Sequence, residues 1–273
     1  MSGINQSLSL IAWLLIGSAP AFSEDRSLRI GETQNISGDG TMVVCHYPKD
    51  SGKPIDLLVH FHGMASVATA NFEKLNWNGA LVVINFKGLS AAYAKPFRED
   101  SALLESVLEQ AAKTVGPETT CRSLTVSSFS AGYGAVREIL KTPKFFERID
   151  ALIAADSMYA SLEKDRETRQ PLETQMRDYL RFAKLASEGK KTFIITHSSQ
   201  ETPYASTTET ANALLQALDI NLEQSAQPST APLKLSTKAI KEKFTVFGYD
   251  GISGEDHLHH LHHIHLWWSH SRS

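Results

Sequence analysis

Residues 124–140 read LTVSSFSAGYGAVREIL. Leu124 to Phe129 favour a strand, and the run from Gly134 to Leu140 favours a helix. Between them lie Ser128, Ser130, Ala131, Gly132 and Gly134, all small. A strand that turns directly into a helix brings two backbones close together, and small residues are what that closeness requires. The turn leaves the Ser130 hydroxyl on the corner, where the following helix offers N–H groups without intrahelical acceptors. This unit points to an α/β protein with a central sheet.

Upstream, TMVVCHY (from Thr41) and IDLLVHF (from Ile55) are β-rich runs separated by the turn signal PKDSGKP, and ALVVINF (from Ala80) is a third. EDSALLESVLEQAAKTV (from Glu99) has apolar residues at helical spacing and stops at Gly116-Pro117. Downstream, IDALIAAD (from Ile149), KTFIITH (from Lys191) and EKFTVFGY (from Glu242) read as strands. The polar segment 161–189 reads as largely helical with Pro171 in its first turn, and TTETANALLQAL (from Thr207) as a helix capped by Ser206 or Thr207. NLEQSAQPSTAP reads as a surface loop, and EDHLHHLHHIHLWW as the last helix. Continuous Val/Ile/Leu/Phe strands alternating with helices imply a mostly parallel sheet covered on both faces.

The 273 residues are 42% hydrophobic, enough for one sizeable core, and the net charge of −3 leaves no basic face for nucleic acid. Residues 1–23 hold an apolar run, Leu8 to Ile16, then Ala21-Phe22-Ser23. That is the pattern of a signal peptide, too short to span a bilayer, with residues 24–273 as one domain. The expectation is export to the periplasm or the extracellular space, with no stable membrane anchor after cleavage. Cys45 and Cys121 both lie beside strands, as a disulfide pair or as two free thiols.

The pentapeptide Ser128-Phe129-Ser130-Ala131-Gly132 resembles the nucleophile elbow of α/β-hydrolases, G-x-S-x-G, with serine in place of the first glycine. His62-Gly63, in LLVHFHGMA, resembles the HG segment of lipase and esterase relatives. The resemblance implies a three-layer sandwich, a mostly parallel sheet with helices on both faces, and a segment 158–189 lying where relatives insert a cap. It makes Ser130 the nucleophile and the N–H groups of Ala131 and Met64 the oxyanion hole, with Gly63 making room. The base, late in the chain, is His257, with His259 and His260 as fallbacks. The acid is Asp156 at a strand end or Glu201 in a polar loop; Asp250 and Asp256 are weaker because they adjoin His257. His62, His197 and Ser198 are candidates to line the pocket.

The implied activity is hydrolysis of an ester-like or amide bond through an acyl-enzyme. It acts on a small-molecule or acyl substrate and calls for no cofactor and no metal. Two other readings remain. The tail HLHHLHHIH has histidines three and four apart, a spacing that suits Zn²⁺ or Cu²⁺; and a hydrolase fold can bind without catalysing.

Overall fold

The computed structural model describes residues 27–47, 54–75, 77–116, 118–225 and 233–272, so the leader at 1–23 lies outside the described residues. In chain order come β1 (Arg29–Ile30), β2 (Gln34–Asn35), β3 (Thr41–His46), β4 (Ile55–Phe61), α1 (Ala65–Glu73), β5 (Gly79–Asn85), α2 (Ser90–Glu99), α3 (Leu103–Val115) and β6 (Cys121–Phe129). A single 3-10 turn, Ser130–Gly132, leads into α4 (Tyr133–Ile139), α5 (Pro143–Arg148), β7 (Ala151–Ala155), α6 (Glu173–Ser187), β8 (Thr192–His197) and α7 (Thr207–Ala217). The chain continues through β9 (Glu223–Gln224), β10 (Lys234–Lys241), β11 (Phe244–Asp250), α8 (Gly254–His262) and α9 (His265–Trp268).

One sheet runs in the order β1-β3-β5-β4-β6-β7-β8-β11-β10-β9, with β2 on β3. The six strands from β5 to β11 are mutually parallel, and antiparallel strands extend both edges. β4 and β7 are buried at every residue, as strands covered on both faces must be. Alternation along β4 sends Leu57, Val59 and Phe61 to a core shared with α2 through α7. Leu58 goes to a second core shared with α1, Trp267 and Trp268. The result is the three-layer α/β-hydrolase-like sandwich.

Several local expectations change. The helix read from Glu99 starts at Leu103, because α2 ends at Glu99 and the backbone is extended at Asp100. Helix in the 161–189 segment is confined to α6, and Pro171 sits before it in a bridge with Leu162. α6 buries Met176, Tyr179 and Phe182 in the main core, so it is a layer of the sandwich, and residues 158–172 before it are mostly irregular. The polar run after Ile220 contains β9, and the last helix breaks at His263-Ile264. Cys45 and Cys121 are both free thiols. They lie on β3 and β6, three strand spacings of about 4.8 Å apart, where a bridge tolerates roughly 7 Å between Cα atoms.

Candidate active site

Three of the parallel strands end on a residue in an unusual backbone conformation. His62 follows β4 with φ 72°, Ser130 follows β6 with φ 47°, and Asp156 follows β7 with φ 44°. A non-glycine residue with positive φ costs on the order of 1–3 kcal/mol, and such strain gathers where a side chain must be aimed. The register sets the three ends side by side: Phe61 pairs with Ser128, and Phe129 with Ala155.

Around Ser130 the elbow is packed backbone to backbone. A Cβ on Gly132 would stand 2.3 Å from the Phe61 carbonyl oxygen, and one on Gly134 2.1 Å from that of Ser90. The first elbow position carries Ser128 without cost because a partner receives it. Ser157 Oγ lies 2.8 Å from both Ser128 Oγ and the Ser130 carbonyl oxygen. One serine proton goes to the carbonyl, and the Ser128 hydroxyl supplies the other. Ser130 itself remains partly accessible.

Asp156 is completely buried, and four donors saturate its carboxylate. Oδ1 accepts from the Ser198 N–H (3.1 Å) and from Thr207 Oγ1, and Oδ2 from Ser198 Oγ (2.8 Å) and from His257 Nδ1 (2.7 Å). Burial is the largest influence on this carboxyl and pushes its pKa up. The His257 hydrogen bond, the His260 and His257 charges and the Thr207 hydrogen bond outweigh it and hold the group well below the usual carboxylate range. An ionised Asp156 accepts a hydrogen bond from His257 Nδ1 and so orients the ring. The His257 ring stacks on Phe129, the residue before Ser130, at 4.5 Å between centroids, and Phe129 also stacks with His62 at 6.0 Å.

The structure thus brings Asp156 and His257 together beside the elbow. Glu201 is exposed, and no hydrogen bond joins it to His257 among the described residues. Asp256 caps α8 through Ser253, and Asp250 is exposed at the end of β11. His260 is buried against Trp267, with Nδ1 2.7 Å from Thr196 Oγ1; burial first, opposed by the Asp156 charge, lowers its pKa to about 4. His259 faces His263, and His265 bonds Asn71. The tail histidines therefore serve separate partners, and among the described residues no three metal-ligating side chains converge.

Gly63, at φ 126°, is held between Asn85 and α8. Its N–H donates to Asn85 Oδ1 (3.1 Å), so that donor is spent, and a Cβ there would reach 2.9 Å from Leu261. Met64 and Ala131 stand at the starts of α1 and of the 3-10 turn, where N–H groups lack intrahelical acceptors. His62 Nδ1 lies 2.8 Å from the Tyr93 hydroxyl, and burial, then the His257 charge, lowers its pKa. His197 is buried, with Nδ1 2.9 Å from Thr208 Oγ1, while Ser198 serves the acid directly. Sequence reasoning missed Ser157, Phe129 and Thr207. Thr207 reads as a cap, yet Ser206 makes the capping box and Thr207 turns to Asp156.

A concavity between α3 and the opening residues of β4 and β6, at the other end of the strands from Ser130, is lined by Ile55, Leu57, Leu108 and Cys121. Its Arg148 and Glu105 pair with each other at 3.0 Å.

No family model matches the chain, and no curated protein matches it. Solved structures are similar at low identity. The zinc-bound structure of a cold-adapted esterase from an Arctic intertidal metagenomic library is 13% identical, covering 92% of this chain and 96% of that one, with a TM-score of 0.49. An S-formylglutathione hydrolase from Staphylococcus aureus is 13% identical over 89% of this chain and 97% of its own, with a TM-score of 0.49. A thermostable esterase from Pseudomonas putida is 11% identical over 90% and 82%, with a TM-score of 0.47.

Proposed function

We propose that the protein is a serine hydrolase of ester bonds, working through an acyl-enzyme with Ser130, His257 and Asp156 as its triad. One observation carries the reading: a buried, fully bonded carboxylate holds an imidazole by Nδ1 at the strand ends where Ser130 stands on a strained corner. His257 Nε2 accepts the Ser130 proton as Oγ attacks the ester carbonyl carbon. The oxyanion takes the N–H groups of Ala131 and Met64. Collapse breaks the ester bond, and the departing alcohol receives the proton from His257. Water then gives a proton to His257, attacks the acyl carbonyl and frees the acid, and the proton returns to Ser130. Asp156 stabilises the imidazolium throughout. The apolar leader in the sequence supports an exported setting, periplasmic or extracellular.

The test is turnover of 4-nitrophenyl acetate and butanoate by the wild type, with and without a chelator. The reading expects turnover that a chelator leaves intact. A folded protein without turnover is the non-catalytic binder, and turnover abolished by the chelator is metal chemistry.

A further inference from the structure

Three tyrosines pack against one another beside the proposed nucleophile. Tyr133 lies one helical turn beyond Ser130, Tyr159 two residues beyond Ser157, and Tyr204 in the loop between β8 and α7. The Tyr133 and Tyr159 rings are 5.5 Å apart between centroids and tilted by 54°; Tyr159 and Tyr204 are 5.6 Å apart and edge-on at 84°. These are favoured aromatic contacts, and together they make one continuous surface.

The hydroxyls are unequal. Tyr133 donates to Ser90 Oγ (2.9 Å). The Tyr159 hydroxyl has no protein partner among the described residues, and its ring is half-buried. This hydroxyl reaches solvent, so an arriving ligand oxygen can take its proton without displacing a protein partner. Burial, and then the Asp156 charge, push this phenol upward, so it stays protonated and able to donate.

The surface is held in place before any ligand arrives. Ala160 and Ala205, next to Tyr159 and Tyr204, form an isolated antiparallel bridge. Arg169, at φ 52°, donates to the carbonyl oxygens of Thr202 and Tyr204, each at 3.0 Å. The same guanidinium pairs with Glu209, which closes the capping box on Ser206. Arg169 thereby fixes the Tyr204 loop to the start of α7, the helix whose Thr207 bonds Asp156. Preorganisation of this kind lowers the cost of binding.

We propose that Tyr133, Tyr159 and Tyr204 form a subsite for a planar aromatic ring bearing an acceptor oxygen, and that Arg169 positions it. The substrate class is then an ester whose acid or alcohol carries an oxygenated arene. The inference rests on the acyl-transfer reading of Ser130 for its chemistry but not for its binding. Balance of the reaction is unchanged: one ester and one water give one acid and one alcohol.

The experiment compares kcat/KM for methyl 4-methoxyphenylacetate, 4-methoxyphenyl acetate and methyl butanoate in the wild type, Tyr204→Ala and Tyr159→Phe. In parallel, saturation-transfer NMR follows binding of the two aryl esters to Ser130→Ala. The expectation is a preference for one aryl ester over methyl butanoate, and which ester wins assigns the ring to the acyl or the alcohol side. Tyr204→Ala lowers that ratio by about fivefold, mainly through KM. Tyr159→Phe lowers it by about fivefold as well, since the methoxy oxygen loses its donor. Turnover of all three esters with ratios that neither variant moves overturns the ring subsite and leaves the acyl-transfer reading standing. Tyr204-dependent binding of an aryl ester without turnover of any ester keeps the subsite and overturns the acyl-transfer reading. Neither binding nor turnover overturns both.

Discussion

Ser127 near the end of β6 and Ser130 just past it stand three residues apart, each in reach of a histidine-bearing region, and their surroundings have opposite characters. Ser127 Oγ lies 3.1 Å from His60 Nδ1, directly across the β4–β6 register, and also accepts the Trp268 indole N–H at 2.8 Å. Both residues are fully buried, and the His60 Nε2 has no partner among the described residues. Among the described residues no carboxylate bonds this imidazole. Burial above all, with the His62 charge, pushes its pKa down to about 3. Ser130 stands one residue beyond the strand, partly accessible, beside an imidazole tied to an ionised carboxylate. The residue types are the same. What differs is the strand end, with its positive φ and free helix N–H groups, and the acid that orients the ring. The first pairing holds Trp268 under the sheet; the second is the one proposed to move a proton.

Exchanging the two serines breaks this contrast most directly. Ser130→Ala is expected to lower kcat for ester turnover by about 10⁴-fold or more, with the fold intact by circular dichroism. Ser127→Ala is expected to keep turnover while losing about 2 kcal/mol of stability in urea, since Trp268 and His60 lose their shared partner. Loss of activity in Ser127→Ala at unchanged stability contradicts the assignment. The acids give the next largest effect: Asp156→Asn is expected to reduce kcat by about 10³–10⁴-fold. Glu201→Gln changes it by less than about twofold, as an exposed substitution does. The reverse result transfers the acid to Glu201.

Acid titration sharpens the comparison from the buried side. His60 and His260 fold with pKa values lowered to about 3 and about 4, against an ordinary 6.5. Below pH 6.5 the unfolded chain takes up protons that the folded chain refuses. Their contribution is therefore complete above pH 6.5 and is lost as the pH falls toward 4 and then 3, with about 5 kcal/mol of it gone by pH 4.5. Urea midpoints at pH 7 and pH 4.5 are expected to fall steeply, and His60→Asn, which cannot titrate, to fall less. Parallel curves contradict the burial account. The smallest effect belongs to Ser128→Gly, which restores the common elbow spelling but removes the contact with Ser157. It is expected to cost about 1 kcal/mol with turnover nearly unchanged.

The elbow was legible because its requirement is local: Gly132 and Gly134 are small where Phe61 and Ser90 press on them. Asp156 and His257 were legible as a strand end and the first histidine past the last strand. Elements whose stability is tertiary were hidden. α1 (ASVATANFE) buries Thr69 and Asn71 with Phe72, a face with little apolar contrast, and α2 carries Pro96 inside it. β10 (KLSTKAIK) pairs with β11 at the sheet's margin, where only Ala239 is buried along its length. Ser157, Thr207 and Tyr159 acquire their roles only from neighbours distant in sequence, which no spacing announces.

Labelling with a fluorophosphonate, followed by peptide mapping, tests the central claim most directly. The account predicts a single adduct on the peptide containing Ser130, strongly slowed in His257→Ala and Asp156→Asn and unaffected by His60→Asn. An adduct on another serine, or none on a protein that is folded, contradicts it.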